Sequence, residues 1–301
     1  MNINCPNPKC VLSFKLGPKS KQIVRNGGFF RKSDSRVIKK FHCRICGCYF
    51  SMATFSERYC QKLRRINEPL RKLLVSGCSQ RRAAKLLSVD RKTVVRRFRF
   101  LAEQARTNHR EWLKQYERKP LDSIQFDDLE TSEHTKCKPL SVALAVDPTH
   151  RKILHFHVSR MPAKGRIAEV ARRRYGPRKD ERPVGWNLLM QDLKPHVTRD
   201  AKFTSDDNPH YPKYVFLHHP GVTHKTVKGG RGAIVGQGEL KKLKFDPLFS
   251  LNHTCAMLRA NMNRLFRRTW CTTKTVQGLV DHLSLYVSYH NLELTTQVQK
   301  S

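Results

Sequence analysis

Carboxylates in an otherwise basic chain are the residues that most plainly indicate chemistry. Only seven of the 24 Asp and Glu residues precede a stretch at 122–133 that contains five. Within it, Ile124 and Phe126 alternate with polar residues and lead into Asp127 and Asp128, as in a strand that delivers carboxylates to the end of a sheet. Carboxylate oxygens are preferred ligands of Mg²⁺, which assists phosphoryl transfer on nucleic acids. The alternative is an acidic turn that pairs with neighbouring Lys and Arg.

The carboxylates lie in a part of the chain where short apolar strands and helices follow one another. Predicted strands lie at 139–146, 152–158 and 202–204, and predicted helices at 166–174, 185–193, 251–268 and 276–290. The first two of these strands are joined by a tight polar turn, which predicts a hairpin. The third ends in a second carboxylate pair, Asp206 and Asp207. We therefore predict an α/β domain over 119–301.

Cysteines indicate a metal site near the N-terminus. The chain has ten cysteines, and two close pairs have the spacing of metal-binding knuckles: Cys5 with Cys10, and Cys43 with Cys46. Four thiolates form a tetrahedral site that suits Zn²⁺. With the strand-like residues between the pairs, they predict a zinc ribbon over 1–60. Cys48 is an alternative to Cys46, and the competing interpretation is a set of reduced structural cysteines.

Residues 61–118 have a helical pattern in which basic and apolar positions interleave. Ser79 and Asp90 stand where helix N-caps are expected, on either side of a short helix and a turn, which predicts a helix-turn-helix. Five side chains at the start of its second helix are predicted to face the major groove of DNA or its phosphates: Arg91, Lys92, Thr93, Arg96 and Arg97. The alternative is a basic helical hairpin without groove contact.

The composition favours a polyanionic partner. The chain has 59 Lys and Arg, a net charge of +35 and basic residues throughout its length. Nucleic acid is the obvious partner for such a charge. No apolar run of about 18 residues and no signal-peptide core is present, so no membrane association is expected. We predict a cytoplasmic, nucleoid-associated protein that binds double-stranded DNA.

The order of these segments resembles that of bacterial insertion-sequence DDE transposases with an N-terminal zinc ribbon and helix-turn-helix. Besides the two cysteine pairs, the resemblance rests on FDDLET at 126–131, TSDDNPHYP at 204–212 and DPLFSLNHTCAMLRANMNRLFRRTW at 246–270. It covers nearly all 301 residues. It implies an RNase H-like mixed-sheet catalytic domain after the two DNA-binding modules. It also implies metal-dependent cleavage of DNA at the element's terminal repeats and joining to target DNA, by a homo-oligomer.

The resemblance also implies the catalytic residues. Asp127 and Asp206 correspond to the first two acids, which hold Mg²⁺ or Mn²⁺. Asp128 and Asp207 are reserve candidates, because neighbours on a strand point to opposite faces. The third acid of the family is usually Glu, and the corresponding residue here is Asn252. An amide oxygen can bind Mg²⁺ but adds no negative charge, so weaker metal binding is expected.

Glu239 competes with Asn252 for the third position. Glu239 follows a glycine-rich loop and precedes several lysines, so the sequence predicts a mobile surface residue there. Asn252 opens a predicted helix on which it lines up with Arg259 and Asn263, and Arg259 is predicted to contact the scissile phosphate. The alternative makes Asn252 an ordinary helix N-cap.

Two other functional classes stay open at this point. The first is a non-enzymatic DNA-binding protein, such as a regulator or an inactive transposase remnant, which would use only the zinc ribbon and the helix-turn-helix. The second is a structure-specific nuclease, which would share the fold and the metals.

Overall fold

The computed structural model of the chain describes residues 3–13, 21–32, 34–228, 246–266 and 271–295. The chain divides into two compact units, 1–69 and 70–301, which we call the cysteine unit and the sheet unit. The sequence predicts three domains, with boundaries after residues 60 and 118. In the structure most of the predicted helix-turn-helix segment belongs to the sheet unit.

The cysteine unit is built on a three-stranded antiparallel sheet in the order β1-β2-β3. Its strands are β1 (Ile23–Arg31), β2 (Arg36–Cys43) and β3 (Tyr49–Ser51). Phe41 on β2 pairs with Phe50 on β3, and both side chains are buried beside the cysteines. A unit this small buries little apolar surface, so it needs a further source of stability such as a metal ion.

Three helices follow these strands in the chain: α1 (Asn67–Val75), α2 (Gln80–Leu86) and α3 (Arg91–Arg118). Both predicted N-caps are confirmed. The Ser79 hydroxyl accepts a hydrogen bond from the Arg82 N–H, and the Asp90 carboxylate accepts one from the Lys92 N–H. These bonds satisfy backbone donors that have no partner within the first turn of a helix, so they fix where α2 and α3 begin.

The sheet unit contains a five-stranded mixed sheet in the order β6-β5-β4-β7-β8. Its strands are β4 (Leu121–Ser132), β5 (Pro139–Val146), β6 (Ile153–Arg160), β7 (Val197–Asp206) and β8 (Thr223–Val227). β4, β5 and β6 form an antiparallel meander, whereas β7 runs parallel to β4, and β8 parallel to β7. The predicted α/β class with a mixed sheet is confirmed.

Helices cover both faces of this sheet: α4 (Ala168–Tyr175), α5 (Arg182–Leu193), α6 (Tyr211–His218), α7 (Phe249–Asn261) and α8 (Val276–Tyr289). Ile124 and Phe126 of β4 share a core with α5 and α6. Leu129 of the same strand shares a core with α3, α7 and α8. Successive residues of β4 therefore face two different helix layers. Across the described ranges, no helix has both the length and the apolar composition that a membrane span requires.

α3 packs along α8, and this contact joins the predicted helix-turn-helix to the sheet. The Arg106 guanidinium on α3 donates to the buried Asp281 carboxylate on α8 at 2.9 Å. The Phe98 ring of α3 meets His282 of α8 edge to face, with 5.8 Å between the ring centroids. Because buried contacts run along this pair of helices, the boundary predicted after residue 118 does not separate two compact units.

Candidate functional site

The four predicted zinc ligands form one cluster. The sulfur atoms of Cys5, Cys10, Cys43 and Cys46 all lie within 4.8 Å of one another. The Cys5 and Cys46 sulfurs are 3.5 Å apart, and those of Cys10 and Cys43 are 3.8 Å apart. With metal–sulfur bonds of about 2.3 Å, the corners of a tetrahedron lie about 3.8 Å apart. The sulfur arrangement therefore fits a tetrahedral metal ion.

Backbone hydrogen bonds shape the second cysteine pair. The Gly47 N–H donates to the Cys43 carbonyl oxygen, and the Cys43 N–H donates to the Cys48 carbonyl oxygen. Gly47 has a φ of 67°, which glycine adopts without steric cost. The Cys48 backbone lowers the pKa of Cys46 to about 6, which favours the thiolate. Cys48 itself is not a member of the sulfur cluster, so Cys46 completes the set.

Asp127 and Asp206 lie on neighbouring parallel strands. Gln125 of β4 pairs with Thr204 of β7, and the two aspartates follow two residues later on their strands. Residues two apart on a strand point to the same face. Both carboxyl groups therefore belong to the face of the sheet that Gln125 shares with α7.

Burial and a neighbouring charge act together on Asp127. Burial of the carboxyl, followed by repulsion from Asp206, raises the pKa of Asp127 to about 6. Its Oδ1 accepts hydrogen bonds from the Tyr211 hydroxyl at 3.1 Å and from the Asp128 N–H at 2.6 Å. A cation between the two carboxylates would offset their repulsion and favour the ionised forms.

One carboxylate oxygen of Asp206 lacks a hydrogen-bond donor in the described part of the chain. Its Oδ1 is buried and has no hydrogen-bond partner among the described residues. Burial also raises the pKa of Asp206. A buried carboxylate oxygen is costly unless a proton or a cation satisfies it. The pair of aspartates thus fits a divalent cation that prefers oxygen ligands. Within the described ranges, no third Cys, His, Asp or Glu joins them in a cluster of metal ligands.

The reserve candidates have different surroundings. Asp128 points to the other face of β4, where it accepts hydrogen bonds from the Ser141 hydroxyl at 2.6 Å and from the Trp186 indole at 3.4 Å. Burial raises the pKa of Asp128 as well. Asp207 is exposed at the end of β7. Asp128 is therefore engaged with α5, whereas Asp127 and Asp206 share a face.

Gln125, which the sequence analysis does not single out, ties β4 to the start of α7. Its side-chain N–H donates to the Pro247 carbonyl oxygen at 2.8 Å, and its Oε1 accepts from the Leu251 N–H at 3.1 Å. The Gln125 side chain is almost fully buried. Because Gln125 precedes Asp127 by two residues, this pair of bonds holds α7 over the face that carries the carboxylates.

The observed helix α7 corrects the helix predicted at 251–268. It begins two residues earlier, so Asn252 is its fourth residue and is not the N-cap. It ends at Asn261, whose carbonyl oxygen accepts a hydrogen bond from the Gly77 N–H at 2.7 Å. Asn263 therefore lies beyond the helix, and the predicted polar stripe that included it is wrong.

Asn252 is exposed, and its side-chain N–H donates to the Asp246 carboxylate at 2.8 Å. Asp246 also accepts from the Leu248 N–H and so caps the turn that precedes α7. The amide oxygen of Asn252 is the atom that would serve as a metal ligand. The role of Asn252 as third ligand stays a prediction, and Glu239 lies outside the described residues.

The middle of α7 lies near the carboxylates. Burial and then the charge of Asp127 raise the pKa of Cys255 to about 12, while Arg259 acts in the opposite direction. Cys255 and Arg259 are one helical turn apart, so both are close to the aspartate face. Arg259 is half-buried, and its contact with a scissile phosphate stays a prediction.

The predicted DNA contacts lie at the start of α3. Arg91, Lys92 and Arg96 are exposed, whereas Thr93 and Arg97 are half-buried. The first turn of α3 contains no acidic residue. Exposed cations on a capped helix start suit contacts with phosphates, and DNA binding by these side chains stays a prediction.

Comparisons with known proteins do not indicate a function for the chain. No protein-family model matches the chain, and no curated protein matches it.

Proposed function

We propose that the chain is a DDE transposase of a bacterial insertion sequence, which binds the ends of its element and cuts and joins DNA. The observation that carries the proposal is the pairing of Asp127 and Asp206 on one face of adjacent parallel strands. Their raised pKa values and the unsatisfied Asp206 Oδ1 suit a divalent cation used in phosphoryl transfer.

The strand order supports an RNase H-like catalytic domain. Three antiparallel strands that begin with the acidic β4 precede a helical crossover, and the next strand, β7, ends in Asp206. This is the order that the resemblance implies. The sulfur cluster supports a structural Zn²⁺ in a zinc ribbon, and the capped helices α2 and α3 support a helix-turn-helix that binds the terminal repeats.

The proposed reaction gives each residue a task. Asp127 and Asp206 would hold Mg²⁺ or Mn²⁺, and Asn252 would add a neutral amide oxygen. When bound, the ion would supply positive charge for activating a water molecule or a 3′-hydroxyl and for stabilising the leaving oxygen. The Tyr211 hydroxyl orients the Asp127 carboxylate by donating to its Oδ1. Arg259 contacts the scissile phosphate.

The test uses DNA that carries the inverted repeats flanking the gene, incubated with the protein and Mg²⁺ or Mn²⁺. Strand cuts at the repeat ends are expected from the wild type. Asp127→Ala and Asp206→Ala should bind the repeats as the wild type does but should make no cuts. Asp200→Ala, a matched control at an exposed acid of β7, should cut normally. Equal cutting by the wild type and both site variants would refute the assignment.

A second candidate function is sequence-specific DNA binding without cleavage. It is favoured by one observation, that no third acidic side chain joins Asp127 and Asp206 within the described ranges. Binding to the repeats without any strand cuts in either metal would support this function. Cutting that ignores the repeats and follows DNA structure instead would indicate a nuclease.

A further inference from the structure

The sheet of the cysteine unit has two chemically different faces. Cross-strand pairing puts Phe41 beside Phe50 on the face that packs against the cysteines. The next pair along, His42 with Tyr49, therefore lies on the opposite face. Phe29 pairs with Ile38 and belongs to that same face. We call this second face the outer face.

The outer face presents aromatic rings to solvent. Tyr49 stacks on His42 with ring centroids 4.2 Å apart and an angle of 19° between the planes. β3 is an edge strand of its sheet, and 68% of Tyr49 is exposed, so one side of its ring is open. Phe29 is 40% exposed, and the Lys40 ammonium lies 5.7 Å from the centroid of its ring. A flat ring that binds beside Tyr49 would extend an existing stack.

The charge around these rings is strongly positive. Residues 21–51 contain a single acid, Asp34, which pairs with Arg31. The same stretch contains eight cations: Lys21, Arg25, Arg31, Lys32, Arg36, Lys39, Lys40 and Arg44. Exposed rings interleaved with cations match a ligand that alternates flat bases with phosphates. A protein partner would need many acidic side chains to match this charge.

We propose that the outer face binds single-stranded nucleic acid, with one base stacked on Tyr49, another on Phe29, and Lys40 beside the intervening phosphate. Unpaired bases are required, because in a duplex both faces of each base are already stacked on neighbours. The site goes beyond the proposed cleavage reaction and does not depend on Asp127 or Asp206.

The test measures the fluorescence anisotropy of a labelled thymidine oligonucleotide of about 20 nucleotides, long enough for one binding site, titrated with the full chain. Tyr49→Ala should weaken binding by about 5-fold to 150-fold, which is the range for loss of one base–aromatic stack. Tyr49→Trp should retain binding, because it keeps a flat ring. Tyr59→Ala, a matched control at a tyrosine that is 50% exposed outside the sheet, should bind as the wild type does. Metal content measured for each variant verifies that the cysteine unit is intact.

Salt dependence separates stacking from charge. Lys40→Ala should reduce the slope of log affinity against log salt by about 0.7, whereas Tyr49→Ala should leave the slope unchanged. A uridine oligonucleotide bound as well as the thymidine one would extend the ligand to RNA. Asp127→Ala should bind single strands normally, so a failure of the cleavage assay leaves this proposal intact.

Three results would overturn the proposal. The first is wild-type affinity of Tyr49→Ala for the single strand. The second is an equal loss of affinity for a blunt duplex of the same length, which would indicate a general DNA contact. The third is self-association of the wild type in sedimentation that Tyr49→Ala abolishes while single-strand binding persists, which would make a second copy of the chain the occupant.

Discussion

At the scale of single residues, the fold disfavours the ionised form of the Asp127 carboxyl group. Burial and Asp206 raise its pKa to about 6, so the ionised carboxylate is less stable in the folded chain than in the unfolded chain. Stability contributed by the neutral form is present below about pH 4 and is lost as the pH rises through about 6. At neutral pH the fold therefore carries an electrostatic strain that a cation would relieve.

This leads to a prediction for Asp127→Asn. At pH 8 without divalent metal, the variant should unfold with a free energy about 1–3 kcal/mol higher than the wild type, and near pH 4 the difference should vanish. Added Mg²⁺ should stabilise the wild type and leave the variant unchanged. Urea unfolding followed by tryptophan fluorescence measures this, because Trp112 and Trp186 lie in the sheet unit.

The exposed Asp200→Asn is the control for that measurement, and it should follow the wild type at every pH. A destabilised Asp127→Asn, or equal stabilisation of both proteins by Mg²⁺, would contradict the metal-binding assignment.

The strand pattern predicts a pair of carboxylates at the end of each of two strands, because it is a local signal that needs no knowledge of the partner strand, and the resemblance selects Asp127 and Asp206 from these pairs. Tyr211 and Gln125 carry no such signal. Their contacts with Asp127 and with α7 join positions more than 80 residues apart, which only the folded chain brings together. The predicted polar stripe wrongly includes Asn263, because α7 ends at Asn261, whose carbonyl oxygen accepts a hydrogen bond from the Gly77 N–H. Helical periodicity in the sequence does not show such a long-range contact.

At the scale of elements, the start of α3 is the part that the proposal assigns to DNA. The double variant Arg91→Ala/Arg96→Ala should reduce the slope of log affinity against log salt for duplex DNA by about 2, because each lost phosphate contact removes about 0.9. Arg110→Ala, which changes an exposed cation further along the same helix, should leave the slope unchanged. An unchanged slope in the double variant would move DNA contact to another element.

The packing interface between α3 and α8 gives a second prediction at this scale. Arg106→Ala removes one charged partner of the buried Asp281, so the free energy of unfolding should fall by about 1–3 kcal/mol. Arg110→Ala removes an exposed ion pair with Glu103 and should cost less than about 0.5 kcal/mol. Equal effects of the two substitutions in urea unfolding would show that the buried ion pair does not stabilise the packing of α3 on α8.

Sequence reasoning worked for the helix starts because Ser79 and Asp90 act on backbone groups within three residues of themselves. It predicts a domain boundary after residue 118 but does not show that α3 packs on a helix more than 150 residues later in the chain. An amphipathic pattern shows which side of a helix is buried, but it does not name the element that buries it.

At the scale of the whole molecule, the two units have separate cores, since the residues that pack around the cysteines belong to no other cluster. The stability of the cysteine unit should depend on a bound metal ion. One Zn²⁺ per chain is expected, and removing it with a chelator should abolish hydrogen-exchange protection in β1 and β2. Protection of β4 and β7 should persist in the same sample.

Cys43→Ser should reproduce the effect of the chelator, whereas Cys60→Ser, at an exposed cysteine outside the cluster, should not. Protein purified without chelators that contains no zinc, or loss of protection across both units at once, would contradict this prediction.

Helix α3 has a consequence for how the whole molecule would act on DNA. It runs unbroken from Arg91 to Arg118, and β4, which carries Asp127, begins at Leu121. Both belong to the sheet unit, and Val94 near the start of α3 lies in the same hydrophobic core as Leu129 of β4. In each copy of the proposed transposase, the side chains that bind the repeat and the carboxylates would therefore keep one fixed separation. The cut should then fall at one fixed number of base pairs from the recognised sequence at every end of the element.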